Sequence, residues 1–245
     1  MTPPAFAAAF SILISAAASA STMVLSNTSN ASSGAAALSA NSTMIMIPGP
    51  GGFPMPMMFS NGSVVANSFT TSNSPLPLES VTLLLGTSTG VGSFTVSLSS
   101  DNGGAPAATL ALLTGNSMPS NAGEYSYSAE AGGLVLAANT TYWLRVELAN
   151  PALNTSSTVA WSETTDLSES GPDGWTMGTK LTQPVTNGMA GGWSSDPTRA
   201  MMFTLNAVPE PASAALALLS GGLLFRRRRA MAVYPVKAAP LARGR

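Results

Sequence analysis

The 245-residue chain contains no cysteine and no histidine. Without cysteine no disulfide can form, so any domain must be held by its own core. Without histidine there is no Ser-His-Asp relay and no imidazole base. The joint absence also removes the usual ligands of zinc and blue-copper sites. Neither a GxxxxGK[ST] loop nor a GxGxxG turn after a strand occurs, so no nucleotide-phosphate cradle and no cofactor is expected.

Charge is also scarce, at 9% of residues, and it is unevenly placed. Between residues 21 and 208 the only basic side chains are Arg145, Lys180 and Arg199, against ten acids, a formal charge of −7. The whole chain reads −1 because its remaining basic side chains all follow residue 225. An acidic body without a basic stripe argues against nucleic acid, whose binding requires neutralised phosphates.

Both termini carry patterned apolar runs. Residues 5–18 are apolar, and Ala18-Ser19-Ala20 is a small-x-small cleavage pattern, so residues 1–20 read as a signal peptide cut after Ala20. At the other end Val208-Pro209-Glu210-Pro211 precedes an uncharged stretch, residues 212–225, and then Arg226, Arg227, Arg228 and Arg229. The prolines fix φ and remove two backbone donors, so this motif is extended. As a helix the apolar stretch would span roughly 21 Å, short of a hydrocarbon core of roughly 30 Å. Snorkelling arginines lengthen its reach and place the preceding chain outside the cell.

The order of motif, apolar run and arginine block over residues 208–229 resembles the PEP-CTERM sorting signal of bacterial exported proteins. That resemblance implies recognition and processing by an exosortase-type membrane protease, with transient or anchoring residence in the membrane through 212–225. The chain continues past the arginines as a basic tail, residues 230–245, which such sequences usually lack.

Residues 21–60 form a low-complexity segment, first Ser, Ala and Asn, then Met, Pro and Gly, with a first edge strand expected near 22–26. Five methionines lie in residues 44–58 among four prolines and three glycines. Such a stretch reads as a loop with packing thioethers in preference to a soft copper site, and excludes a regular helix or central strand.

Residues 61–207 alternate apolar and polar positions, the pattern of half-buried strands. Val81, Leu83 and Leu85 share one face, as do Phe94, Val96 and Leu98, and again Tyr142, Leu144, Val146 and Leu148. Trp143, Arg145 and Glu147 fall on the opposite face, where indole and guanidinium are positioned to stack. Further strands are expected at 109–113, 124–129, 158–163 and 201–205, with a turn at Asp101-Asn102-Gly103-Gly104. The predicted fold is all-β, an antiparallel β-sandwich of jelly-roll or Greek-key type, flanked by an N-terminal signal helix and a C-terminal transmembrane-type helix.

Residues 64–71, 80–85, 94–101 with the following Gly104-Ala105-Pro106-Ala107 turn, and 136–143 together resemble the choice-of-anchor R type of surface domain. The likeness covers 22–26 and 60–207, with 31–58 as an insertion. It implies a tethered sandwich and supplies no catalytic residues.

Acids gather on one loop, at Glu163, Asp166, Glu169 and Asp173, while Asp101 sits at a turn. Loop carboxylates suit calcium, with Asp101, Asp166 and Asp173 as candidates, or are simply solvated. A pair such as Glu163 with Asp166 or Glu169 is the minimum equipment of a glycosidase. Trp175 and Trp193, both preceded by glycine, offer rings to a sugar or to the core. Asn-x-Ser/Thr triplets at Asn27, Asn30, Asn41, Asn61, Asn139 and Asn154 reflect a Ser/Thr/Asn-rich surface. Expected partners are export machinery, membrane and extracellular polysaccharide. The leading expectation is a non-catalytic surface module, ahead of a carbohydrate-binding module and a carboxylate-dependent hydrolase.

Overall fold

The computed structural model describes residues 21–48, 54–90, 94–116, 119–130, 134–148, 155–172, 174–187 and 189–208. The expected signal helix (1–20, with Ala18 and Ala20), Asp173, and the tail from Pro209 through Arg229 to the basic end lie outside the described residues. Within them the chain is all-β. In order the strands are β1 (Thr22–Ser26), β2 (Gly34–Pro48), β3 (Pro54–Thr70), β4 (Leu76–Thr89) and β5 (Phe94–Asp101). Next come β6 (Pro106–Leu113), β7 (Gly123–Ser128), β8 (Leu134–Leu136), β9 (Thr141–Leu148) and β10 (Ser156–Thr164). The last are β11 (Thr176–Thr186), β12 (Met189–Ala190), β13 (Ser194–Asp196), β14 (Ala200–Met201) and β15 (Phe203–Ala207).

All pair antiparallel in one sheet that does not close, ordered β1-β15-β4-β10-β2-β3-β9-β5-β6. Strands β7 and β8 branch from β4, β14 from β10, and β11 from β3, with β12 and β13 on β11. Strand β2 is the joint: residues 34–41 pair with β10, and residues 40–48 pair with β3. Around that joint the sheet folds over on itself. Phe69 of β3 meets Phe203 of β15 with ring centroids 6.3 Å apart, and Phe94 of β5 meets Tyr127 of β7 at 5.8 Å, although neither strand pair shares a ladder.

The period-two pattern accounts for the core. Val81, Leu83, Leu85, Phe94, Val96, Leu98, Tyr142, Leu144, Val146 and Leu148 all lie in one buried cluster, as alternation requires. Burying each aliphatic or phenyl side chain of this kind stabilises by about 1.5–3 kcal/mol. The turn after β5 forms with Gly103 at φ 64° and Gly104 at φ 88°, and the Gly104 amide donates to the Asp101 carboxylate at 3.2 Å.

Two expectations are corrected. Residues 44–48 and 54–58, read as loop, lie in paired strands, with Met44 opposite Met58, Ile45 opposite Met57 and Pro48 opposite Pro54. The prolines are tolerated because this outer part of β2 and β3 is a ribbon whose partners are each other, outside the sheet's crowded centre. The inner part of β2 is central, and Ala36, Leu38 and Ala40 enter the core. Trp143 does occupy the outer face, but it is only 1% exposed, in a second small cluster with Ala66 and Leu181. Its indole Nε1 donates to Asp101 at 2.7 Å, while Arg145 turns to Glu147 at 3.2 Å.

On β11 the register shifts between Met177 and Lys180, and Gly178 sits in that irregularity. A Cβ there would come within 2.1 Å of the Ser68 hydroxyl, which accepts a hydrogen bond from the Thr179 amide at 3.0 Å. Gly178→Ala is therefore expected to displace Ser68 and cost about 1–3 kcal/mol by overpacking. Urea unfolding with an unchanged slope and a lower midpoint checks this; a wild-type midpoint would refute the close approach.

Candidate functional site

The best-defined polar grouping lies inside the fold, at the end where β10, β11 and β14 meet. Glu163 continues the inward series Val159, Trp161 on β10, and its side chain is only 4% exposed. Lys180 of β11 donates to Glu163 Oε2 at 2.5 Å. Arg199, on the turn before β14, donates to Glu163 Oε1 and also approaches Asp196 at 3.6 Å. Two of the body's three cations thus converge on one carboxylate. Asn67 lies alongside: its Oδ1 accepts from the Met201 amide at 2.8 Å, and its Nδ2 donates to the Ser68 carbonyl at 2.9 Å. Residue 201 is itself the cross-strand partner of Glu163.

Among the described residues, the loop acids Glu163, Asp166 and Glu169 each have their own surroundings and do not converge on one point. Both oxygens of Glu163 are taken by the cations, so it offers no free carboxylate to Asp166 or Glu169. Asp166 accepts from the Ser168 hydroxyl at 2.7 Å and amide at 3.0 Å, and these bonds hold its carboxyl below the usual range. Asp196 is lowered in the same way, first by the Thr198 hydroxyl. Asp101 is engaged by Trp143 and Gly104. Among the described residues no three carboxylates converge as a metal would require.

Trp175 is 4% exposed and stacks on Phe69 at 6.3 Å, with 22° between planes. Trp193 is partly buried against the Trp143 cluster. Both tryptophans therefore serve packing first. Beside Trp175 a cleft of about 310 Å³ is lined by Leu25, Glu169, Gly171, Pro172, Gly174 and Thr176. It brings Glu169 and Trp175 together, whereas Asp101, at the end of β5, is not part of its lining. A second surface feature is the β2–β3 ribbon. Ile45, Met55 and Met57 are 43–46% exposed on one side, and Met46 is 63% exposed on the other.

Sequence reasoning missed Asn27, Asn67, Lys180 and Arg199. Asn27, placed on the surface by its triplet, is 1% exposed: Nδ2 donates to the Met201 carbonyl at 3.0 Å and Oδ1 accepts from the Phe203 amide at 2.9 Å. The available signal was the rarity of cations between residues 21 and 208, which makes Lys180 and Arg199 conspicuous. Comparison with protein-family models, with curated proteins and with solved structures returns no match.

Removing the shared carboxylate strands a buried cation. Glu163→Ala is expected to lose about 3–5 kcal/mol, because Lys180, only 8% exposed, is left uncompensated. In Glu163→Ala/Lys180→Met much of that loss is recovered. Equal instability of the single and double variants in thermal melts would show that the pairing is not what holds this end of the fold.

Proposed function

We propose that this chain is an exported surface or extracellular-matrix protein carrying a PEP-CTERM sorting signal. Its folded body, a sandwich of jelly-roll or Greek-key type resembling the choice-of-anchor R class, acts as a non-catalytic structural or adhesive module associated with biofilm or exopolysaccharide. The observation that carries this reading is the uninterrupted order at residues 208–229: Val208-Pro209-Glu210-Pro211, the uncharged run, then Arg226 to Arg229. A second signal at the opposite end, with Ala18 and Ala20 at the cleavage pattern, supports the same address. The engagement of Asp101, Glu163, Asp166 and Asp196 within the fold favours a structural body over a hydrolase.

The mature protein in its own cell is expected in the envelope or extracellular fraction, beginning at Ser21 and ending near Pro209–Pro211 after an exosortase-type protease acts. Intact-mass analysis of fractionated cells reads this directly. A full-length cytoplasmic product would sink the proposal.

The cleft beside Trp175 favours one second reading, a carbohydrate-binding module, since a recess edged by the largely buried Trp175 and the exposed carboxylate of Glu169 offers hydrogen-bond acceptors to the hydroxyls of a sugar. On this reading a neutral oligosaccharide raises the melting temperature of the wild type and not of Glu169→Ala. Calcium added alone tests assistance by loop carboxylates. If neither addition moves the melt of the wild type, the binding-module reading fails.

A further inference from the structure

Asn67, Glu163 and Lys180 form a constellation that packing alone does not call for. Val65 and Phe69 of β3 belong to the core, which puts Asn67, midway between them, on the same inner face. Lys180 of β11 is its direct cross-strand partner, so the two side chains point the same way. Glu163 enters from β10 and meets Lys180 Nζ at 2.5 Å. Exposure is 0% for Asn67, 3% for Glu163 and 8% for Lys180. An amine, a carboxamide and a carboxylate are thus enclosed together in a chain that has no cysteine for a covalent staple.

Residues directly opposite on antiparallel strands hold their Cβ atoms roughly 5 Å apart. Extended, the four-carbon stem of Lys180 spans about that separation, which puts the Asn67 carboxamide within its reach. The carbonyl of that carboxamide is already polarised, since Asn67 Oδ1 accepts from the Met201 amide at 2.8 Å. That donor faces the oxygen on which negative charge would develop during addition, the arrangement that lowers the barrier to acyl transfer.

We propose that this grouping is a site of intramolecular isopeptide formation, in which Lys180 Nζ becomes bonded to Asn67 Cγ. The Lys180 ammonium passes one proton to Glu163, freeing the nitrogen lone pair. That pair forms the new C–N bond at Cγ, and charge collects on Oδ1 opposite the Met201 amide. The tetrahedral centre then collapses and the bond from Cγ to Nδ2 breaks. Glu163 returns its proton to the departing nitrogen, and a second proton leaves Nζ, so that ammonium is released. The balance is one ammonium and one primary amide in, one secondary amide and one ammonium out. No oxidant, reductant or cofactor is consumed.

Arg199, the other cation on Glu163, is a positioning residue that fixes the carboxylate beside Lys180. The enclosure also limits the water that would compete for Cγ. The bond would tie β3 to β11 and close the loop of chain between residues 67 and 180, the kind of long-loop constraint that elsewhere a disulfide supplies. It does not depend on the export reading.

Intact-mass spectrometry of the purified full chain, followed by tryptic digestion, tests this. The expected wild-type mass is that of its own polypeptide less one ammonia. Trypsin should fail to cut after Lys180, leaving the peptide that ends at Arg145 joined through Asn67 to the peptide spanning 146–199. Lys180→Arg keeps the charge beside Glu163 but cannot form the amide, so it should fold, show the undiminished mass and be cut after residue 180. Lys180→Met, which replaces the cation by an apolar chain, gives the same mass result should the arginine fail to fit. Glu163→Gln should lose or greatly slow the linkage. An undiminished wild-type mass with normal cleavage after Lys180 overturns the proposal. So does loss of ammonia without the branched peptide, which would mean that Asn67 cyclised on its own backbone.

Discussion

The fold depends on the contact that closes the sheet onto itself, and Phe69 is at its centre. Its ring lies 5.9 Å from Tyr142 on the neighbouring strand, 6.3 Å from Trp175 on the incoming loop and 6.3 Å from Phe203 on the opposite half. Phe203 in turn meets Trp161 at 6.3 Å. Among the described residues there is no helix to cover the apolar face, and the sheet packs against itself. Aromatic side chains are the economical means, because each contributes a large buried area with few torsions to freeze. Pairing within the strands sets which residues point inward; the rings set which inward residues meet.

Folding a sheet in this way interrupts backbone ladders, and the interruption near Met202 is where buried asparagines enter. Strands β14 and β15 are split there, and the freed groups are taken by side chains. Asn27 bonds the Met201 carbonyl and the Phe203 amide, Asn67 the Met201 amide, and the Trp161 indole the Met202 carbonyl at 2.9 Å. An unsatisfied buried polar group costs roughly 1–3 kcal/mol. The carboxamides supply here the hydrogen bonds that the interrupted ladder leaves unmade. The burial of Asn27 follows from the broken strand and bears no relation to the surface role that its Asn-x-Ser/Thr triplet suggests.

The strands with clean alternation were legible. Phe94 to Leu98 and Tyr142 to Leu148 separate their faces by residue type, so both location and inward set could be read directly. Strand β11 was not, because Gly178, Lys180 and Pro184 disguise its period and its register shifts partway. The methionine ribbon was misread for a related reason. Proline density argues against a ladder with partners on both sides, yet two strands pairing only with each other leave room for it. The inner half of β2 is built from Ala36, Leu38 and Ala40, side chains too small to register as a core stripe, and tertiary packing decides their burial. The site residues were the least legible part. Loop carboxylates attract attention by clustering in sequence, whereas Glu163, Lys180 and Asn67 come together only because β10, β11 and β3 converge.

The distribution of charge ties these observations together. No charged side chain occurs before Glu79, so β1 to β3, including the exposed ribbon, rely on hydroxyls, amides and thioethers alone. Of the three cations in the body, one lies on the sheet surface beside Glu147 and two are drawn to Glu163. Of the other acids, Asp166 and Asp196 bond the hydroxyls and amides of Ser168 and Thr198 nearby, Asp101 bonds Trp143 and Gly104, and Glu79 and Glu124 lie on β4 and β7. Replacing a buried ion group by apolar residues is often neutral or better for stability, so stability alone gives no reason to keep this one. Placing two of the body's three cations around one enclosed carboxylate, with a carboxamide directly across the strand from the buried lysine, is more readily understood as keeping three reactive group types in register than as a choice made for stability.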